Sequence, residues 1–257
     1  MMHADRGILP LIAAALTAVS LVLPPRVAAV ALAVVVSVAS LAASQRVNFR
    51  TEDGVLIAAT WYEPSSRPAP AVIFVHMLTR SRRDWEQVAS RLASEGVGAL
   101  IIDLRGHGDS TGAVPRSETP NYSSLALDIK AARRYLSSRA DVQQSRVGLA
   151  GASLGANVAA LHAAADASIT SLALLSPSLD YRGVRIEQAL RTFGGRPALF
   201  VASDDDAYAL RSVRELEKTG GGIREALILN RAGHGTNMLA RDGDLGRRLV
   251  DWFRRTL

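Results

Sequence analysis

The second half of the chain contains, in order, a serine, a run of aspartates and a histidine that together suit acyl transfer. Ser153 lies in the pentapeptide Gly151-Ala152-Ser153-Leu154-Gly155, between a short apolar run, 147–150, and an alanine-rich stretch, 156–165. The pattern G-x-S-x-G between a strand and a helix is typical of a nucleophile elbow, whose tight turn lifts the serine oxygen clear of the sheet. Ser153 is therefore the candidate nucleophile, although a glycine-rich turn with an unimportant serine has the same pattern.

A serine hydroxyl is a poor nucleophile at neutral pH, so it needs a base and a third group that orients the base. The run Asp204-Asp205-Asp206 follows one apolar run, and His234 lies between two glycines after the last one. Ligands gather at the carboxyl ends of strands in open α/β sheets, where both segments are predicted to lie. We therefore predict a triad of Ser153, His234 and one of the three aspartates. The alternatives are that the aspartates only cap a helix and that the histidine is only exposed.

The other histidines are weaker candidates. His76 follows a predicted strand, His107 lies in an Arg-Gly-His-Gly loop, and His162 lies in the helix after the elbow, so each is expected to be packed or hydrogen-bonded. The chain has no cysteine and no HExxH spacing. We expect no metal and no cofactor, and a cysteine nucleophile is excluded.

The elements that must position these residues follow an α/β order. Two runs, 46–50 and 55–62, flank the turn signal Glu52-Asp53-Gly54 and predict an antiparallel hairpin. Continuous apolar runs predict strands buried on both faces at 71–75, 99–102, 147–150, 171–175, 198–202 and 226–229. Helical spacing of apolar residues occurs at Trp85, Val88 and Leu92, and at Leu245, Leu249, Trp252 and Phe253. Right-handed crossovers then give a mainly parallel sheet with helices on both faces.

The connection between the predicted strands 171–175 and 198–202 is short. It has room for little more than one helix, such as 185–190. We therefore expect little or no cap and an open site, which favours bulky or varied substrates.

Two apolar runs without internal charges, 8–23 and 27–43, precede this region. Each is just short of the roughly 20 residues that span a bilayer. A signal peptide, an uncleaved anchor and a two-helix hairpin all fit, but Arg26 between the runs disfavours a translocated hairpin loop. We expect 1–44 to be a signal peptide or membrane anchor, and 45–257 to be a domain that is exported or anchored on the extracytoplasmic side.

The net charge of +6 comes almost entirely from arginine, scattered singly and in pairs. Because there is no basic run, a nucleic-acid partner is not expected, and an acidic membrane surface is the better electrostatic partner. The 48% apolar and 21% charged composition is that of a globular protein. The oligomeric state is not predicted.

Two further segments identify a resemblance. Val72-Ile-Phe-Val-His-Met-Leu resembles the strand and His-Gly-x turn of the α/β-hydrolases, and Ile102-Asp-Leu-Arg-Gly-His-Gly-Asp-Ser resembles their D-x-R-G-x-G-x-S segment. With the elbow, they make the chain from about residue 47 onwards similar to the small, nearly capless branch of dienelactone-hydrolase-like proteins and serine esterases. The resemblance implies the α/β-hydrolase fold.

The resemblance also assigns site residues. The acid of the family lies three residues after the position of Ser203, which selects Asp206, with Asp205 in reserve and Asp204 weaker. It implies an oxyanion hole formed by the backbone N–H groups of Leu154 and Leu78. Met77 is the alternative to Leu78, and it departs from the family, which usually has glycine after the histidine.

The implied activity is hydrolysis of a small-molecule or lipid-like carboxylic ester through an acyl-enzyme, without a cofactor. True dienelactone hydrolases use a cysteine nucleophile, which this chain lacks. A peptidase or thioesterase with the same triad, and a membrane-tethered binding domain without turnover, are the alternatives.

Overall fold

The computed structural model describes residues 43–113 and 122–257. Strands in this part, numbered in chain order, are β1 Ser44–Arg50, β2 Leu56–Tyr62, β3 Ala69–Val75, β4 Gly98–Ile102, β5 Val142–Ala152, β6 Ile169–Leu175, β7 Asp180–Tyr181, β8 Val184–Arg185, β9 Ala198–Ser203 and β10 Arg224–Leu229. The α-helices are α1 Glu86–Ser94, α2 Leu125–Ser137, α3 Leu154–Ala165, α4 Glu187–Phe193, α5 Ala207–Leu216, α6 Asn237–Arg241 and α7 Leu245–Thr256.

Eight strands form one sheet in the order β1-β2-β4-β3-β5-β6-β9-β10. β2 pairs antiparallel with β1 and β4, and the other neighbours are parallel. Val75 lies opposite Gly151, and Leu175 lies opposite both Ala152 and Val201. The segments that leave β3, β5, β6 and β9 therefore meet at one edge of the sheet.

The sheet is covered on both faces because its central strands alternate their side chains between two apolar cores. On β3, Ile73 and Val75 belong to the core that contains residues of α2, α3, α4 and α5. Val72 and Phe74 belong to the core that contains residues of α1 and α7. All four side chains are fully buried, as a sheet between two helix layers requires.

The predicted hairpin and the mainly parallel sheet between helices are confirmed. β5 is longer than the apolar run 147–150 because Val142 pairs with Ala69, ahead of a register shift between Ala69 and Ala71. The helix expected at 185–190 is displaced to α4, since Val184–Arg185 pairs with Asp180–Tyr181 in a small hairpin.

Between β6 and β9 the chain forms only the β7–β8 hairpin and α4. This agrees with the expectation of little or no cap at that connection.

The predicted signal peptide or anchor at 1–44 lies almost wholly outside the described residues, and the boundary at residue 45 stays a prediction. Within 43–113 and 122–257, no helix is long and apolar enough to cross a bilayer.

Candidate active site

Ser153 occupies a strained turn between β5 and α3. Its backbone has φ 53° and ψ −120°, a left-handed φ that residues with a side chain rarely adopt. A Cβ on Gly151 would overlap the carbonyl of Gly155, and one on Gly155 would overlap the carbonyl of His76. Glycine is therefore required on both sides of the elbow, and this strain is of the kind found at functional sites.

The turn brings Ser153 to the histidine of the last loop. The Ser153 Oγ–H can donate to Nε2 of His234 at 2.7 Å, and Nδ1–H of His234 can donate to Oδ2 of Asp206 at 2.6 Å. The serine is buried, Asp206 is mostly buried and His234 is half-exposed. This is the order of contacts that a nucleophile, a base and an orienting acid require.

The electrostatics of the acid fit this order. Burial alone would raise the pKa of Asp206, but the bond from His234 and the N–H of Ala209 lower it below its ordinary value. Asp206 is therefore a carboxylate at neutral pH and can stabilise a protonated imidazole.

The neighbouring aspartates hold the backbone of the histidine loop rather than the imidazole. Asp204 accepts the N–H of Arg231 at 2.6 Å, and Asp205 accepts the N–H of Gly233 at 2.9 Å. Ser203 accepts the N–H between these two, from Ala232, at 2.7 Å. We call these bonds the loop clamp. The geometry thus brings Asp206 to His234, and does not bring Asp204 or Asp205 there.

The predicted oxyanion donors lie on two adjacent segments. Leu154 is the first residue of α3, directly after Ser153. Leu78 and Met77 follow β3, and Gly155 packs against the carbonyls of Val75 and His76, so this loop lies beside the start of α3. The side chain of Met77 extends toward Gly235, where a Cβ would lie 2.6 Å from its sulfur.

Two buried polar residues at this edge carry no recognised motif and were not singled out from the sequence. Asn157, in α3, donates to the carbonyls of Ser178 and Val184 at 2.9 Å each, and accepts the N–H of Ser178. It therefore fixes the β7–β8 hairpin to the helix that follows Ser153. Ser176 follows β6 and bonds to the histidine loop. The sequence signals that could have found them are a polar residue within an alanine-rich helix, for Asn157, and a polar residue directly after a buried strand, for Ser176.

The other histidines in the described part have other contacts. His107 accepts the N–H of Thr79 at 3.2 Å, and its ring lies 4.9 Å from that of His76. His162 is buried on α3, 3.6 Å from Asp166. His76 is fully buried; its Nδ1–H donates to the carbonyl of Met77 at 2.7 Å and its Nε2 accepts the N–H of Leu104 at 3.0 Å.

His76 should make the fold acid-sensitive. Burial lowers its pKa from 6.5 to about 4. In the unfolded chain His76 binds a proton as the pH falls below 6.5, whereas in the folded protein it does so only near pH 4. We expect this difference to lower the free energy of unfolding by up to about 3 kcal/mol across that interval.

Urea denaturation of the wild type and of His76→Gln at pH 7.5, 5.5 and 4.5 measures this effect. The stability advantage of the wild type should shrink as the pH falls, since the variant lacks the titrating ring while all other groups are shared. A pH-independent difference between the two proteins would contradict the assignment.

The D-x-R-G-x-G-x-S segment is structural. Asp103 accepts the backbone N–H groups of Arg82 and Asp109, at 2.7 and 2.9 Å, and the Arg82 guanidinium. A Cβ on Gly108 would overlap the Asp103 carboxylate. Arg105 binds Asp128 below the same loop. In the described residues, no group of three or more metal-binding side chains converges.

Comparison with known proteins agrees with this architecture. The family described as serine aminopeptidase S33 matches residues 66–216, more than half of the chain. This match contains Ser153 and Asp206 and ends before His234. The uncharacterized protein Rv2307c of Mycobacterium tuberculosis is 34% identical over 121 residues, which cover 46% of this chain and 41% of that protein. The match to this relative thus spans less than half of its length.

Solved structures show the shared fold. A dienelactone hydrolase of Anabaena variabilis has a TM-score of 0.71 at 20% identity, over 84% of this chain and 99% of that one. An esterase of Pyrococcus furiosus has a TM-score of 0.68 at 20% identity, over 84% and 91%. With its sheet order, its tight turn at Ser153 and the family match over more than half of its length, the chain belongs to the serine aminopeptidase S33 family of α/β-hydrolases.

Proposed function

We propose that the protein is a serine hydrolase that cleaves carboxylic esters by two-step acyl transfer. The observation that carries the proposal is the continuous chain of short contacts from Ser153 through His234 to Asp206. His234 takes the proton of Ser153 as the oxygen attacks the ester carbonyl, then gives it to the departing alcohol. Water, deprotonated by His234, then releases the acid from Ser153.

We assign the oxyanion hole to the N–H groups of Leu154 and Leu78. Leu154 starts α3, and the first N–H groups of a helix have no intrahelical acceptor. The Met77 carbonyl accepts from Nδ1 of His76 and from the N–H of Arg80, which fixes the peptide plane between Met77 and Leu78. A trans peptide directs the Leu78 N–H away from that carbonyl, so this donor is held rigidly.

An ester, including a lipid-like one, suits this site because the connection between β6 and β9 is small and the histidine is half-exposed. The family description raises aminopeptidase activity as the alternative. An aminopeptidase must bind the protonated amino group of its substrate with a free carboxylate. The Asp84 carboxylate accepts from Thr236, two residues after His234, and is paired with Arg80 at 2.9 Å. Asp180 accepts from the Tyr208 hydroxyl through its backbone carbonyl, and its carboxylate is paired with Arg185 at 2.8 Å. Neither of these two carboxylates is therefore free.

Hydrolysis of p-nitrophenyl butyrate and of leucine p-nitroanilide by the purified chain tests the choice. We expect kcat/KM to be at least about a hundredfold higher for the ester, because p-nitrophenoxide leaves more easily than p-nitroaniline and the carboxylates of Asp84 and Asp180 are already paired with arginines. Equal rates would favour the peptidase. Absence of both activities and of labelling by a fluorophosphonate would favour a binding domain without turnover.

We propose further that residues 1–44 export the domain or anchor it on the extracytoplasmic side of a membrane. Support comes from two apolar runs without internal charges, 8–23 and 27–43. Fusion of alkaline phosphatase after residue 44 should give an active reporter. An inactive reporter, with fluorescence from a matched green fluorescent protein fusion, would overturn this localisation.

A further inference from the structure

Ser176, the residue after β6, lies between the segments that carry the nucleophile and the acid. The N–H of Ser153 donates to the carbonyl of Leu175 at 2.8 Å. The N–H of Ser176 donates to the carbonyl of Val201 at 2.7 Å, on the strand that leads to Asp206. The peptide between Leu175 and Ser176 is therefore fixed to both segments.

The hydroxyl of Ser176 reaches the third segment. Its Oγ accepts the N–H of Gly235, the residue after His234, at 2.9 Å. Because the Ser176 oxygen is the acceptor in that bond, the hydrogen of the hydroxyl remains available for donation to another group. Burial raises the pKa of Asp206. The bond from His234 lowers it, and the Ser176 hydroxyl contributes to the same lowering.

The backbone of Ser176 is in a conformation that would suit glycine. Its φ is 47°, and the residue is fully buried. A side chain at such a φ is strained, and a polar one in a buried position must be hydrogen-bonded. Serine at a position where glycine would relieve the strain indicates that the hydroxyl itself has a role.

We propose that Ser176 is a positioning residue, whose hydroxyl fixes the histidine loop through the N–H of Gly235 and so keeps the His234 imidazole aligned with Ser153. The inference rests on the proposed serine-hydrolase function. His234 must move a proton between Ser153 and the leaving group, and small displacements of such a group cost large factors in rate. The loop clamp holds residues 231–233 on one side of His234, and Ser176 holds the other side.

The test compares two variants of Ser176 on the full chain. In Ser176→Gly the hydroxyl is lost and the backbone is relaxed, whereas Ser176→Ala loses the hydroxyl and keeps the strain. We expect both to lower kcat for p-nitrophenyl butyrate by about tenfold to a hundredfold, with KM within about twofold, since the bond acts on proton transfer. The second-order rate of fluorophosphonate inactivation should fall by a similar factor.

Ser171→Ala is the matched control. Ser171 lies on β6 and, like Ser176, is fully buried; its hydroxyl bonds to Thr256 at 2.7 Å, near the opposite end of the strand. This variant should melt at a lower temperature than the wild type and keep its kcat.

The outcomes are distinct. Wild-type kcat in Ser176→Gly, with or without a defect in Ser176→Ala, would overturn the role of the hydroxyl, since only backbone conformation would then matter. If Ser176→Ala does not fold, Ser176→Gly alone decides. A wild type without Ser153-dependent hydrolysis or labelling would overturn the proposed function itself, and the role of Ser176 with it.

Discussion

Replacing Ser153 with alanine should lower kcat for ester hydrolysis by about ten-thousandfold or more. The variant loses the atom that attacks the carbonyl, while the loops that would bind the substrate and its oxyanion are retained. Stability should change little, because the hydroxyl makes one hydrogen bond, to the half-exposed His234. Initial rates with p-nitrophenyl butyrate, together with a thermal melt of each protein, check both parts of this expectation.

The members of the triad should act as one unit. His234→Ala should cost nearly as much as Ser153→Ala, and the double variant should be no slower than the slower single variant. Additive losses, or more than about one per cent residual activity in Ser153→Ala, would contradict the mechanism.

The adjacent aspartates offer a matched pair for the acid. Asp206→Asn should lower kcat by about four orders of magnitude, since a neutral amide cannot stabilise the imidazolium. Asp205→Asn should stay near the wild-type rate, because the amide oxygen can still accept the N–H of Gly233. The reverse result would move the acid to Asp205.

The sequence predicts the tight turn at Ser153 well because the geometry of that turn is local. Gly151 and Gly155 are required by contacts within the elbow and with the end of β3, and the strand and helix on either side follow from the apolar pattern. The same holds for the sheet, whose buried strands are continuous apolar runs. The structure extends β5 over the polar residues 143–146, which the apolar pattern does not predict to be a strand.

The choice among the aspartates depends on contacts between distant segments. Ser203, Asp204 and Asp205 bond to a loop nearly thirty residues away, and only the direction of the turn after β9 leaves Asp206 for the imidazole. Residue type and order alone left all three open, and only the family resemblance favoured Asp206. Ser176 was missed for the same reason, since no local pattern marks a serine whose partner is Gly235.

The largest effect on stability should come from a residue remote from catalysis. Asp128→Ala should lower the free energy of unfolding by about 3–5 kcal/mol, because it leaves the buried guanidinium of Arg105 without its buried partner. Asp128 is fully buried and accepts the N–H of Arg105 at 2.9 Å and its side chain at 2.7 and 2.8 Å. Urea denaturation at neutral pH measures the loss.

The second partner of Arg105 provides the control. Asp53 binds the same guanidinium at 2.6 Å, but its side chain is substantially exposed, so water can replace it in Asp53→Ala and the loss should be a small fraction of that in Asp128→Ala. The guanidinium of Arg105 stays charged in both variants, because the ordinary pKa of arginine lies far above neutral pH. Comparable losses in the two variants would show that the number of ion pairs, rather than the burial of the charge, determines the stability of this loop. If the uncompensated buried charge is the cause, the double variant Arg105→Met with Asp128→Ala should be more stable than Asp128→Ala alone.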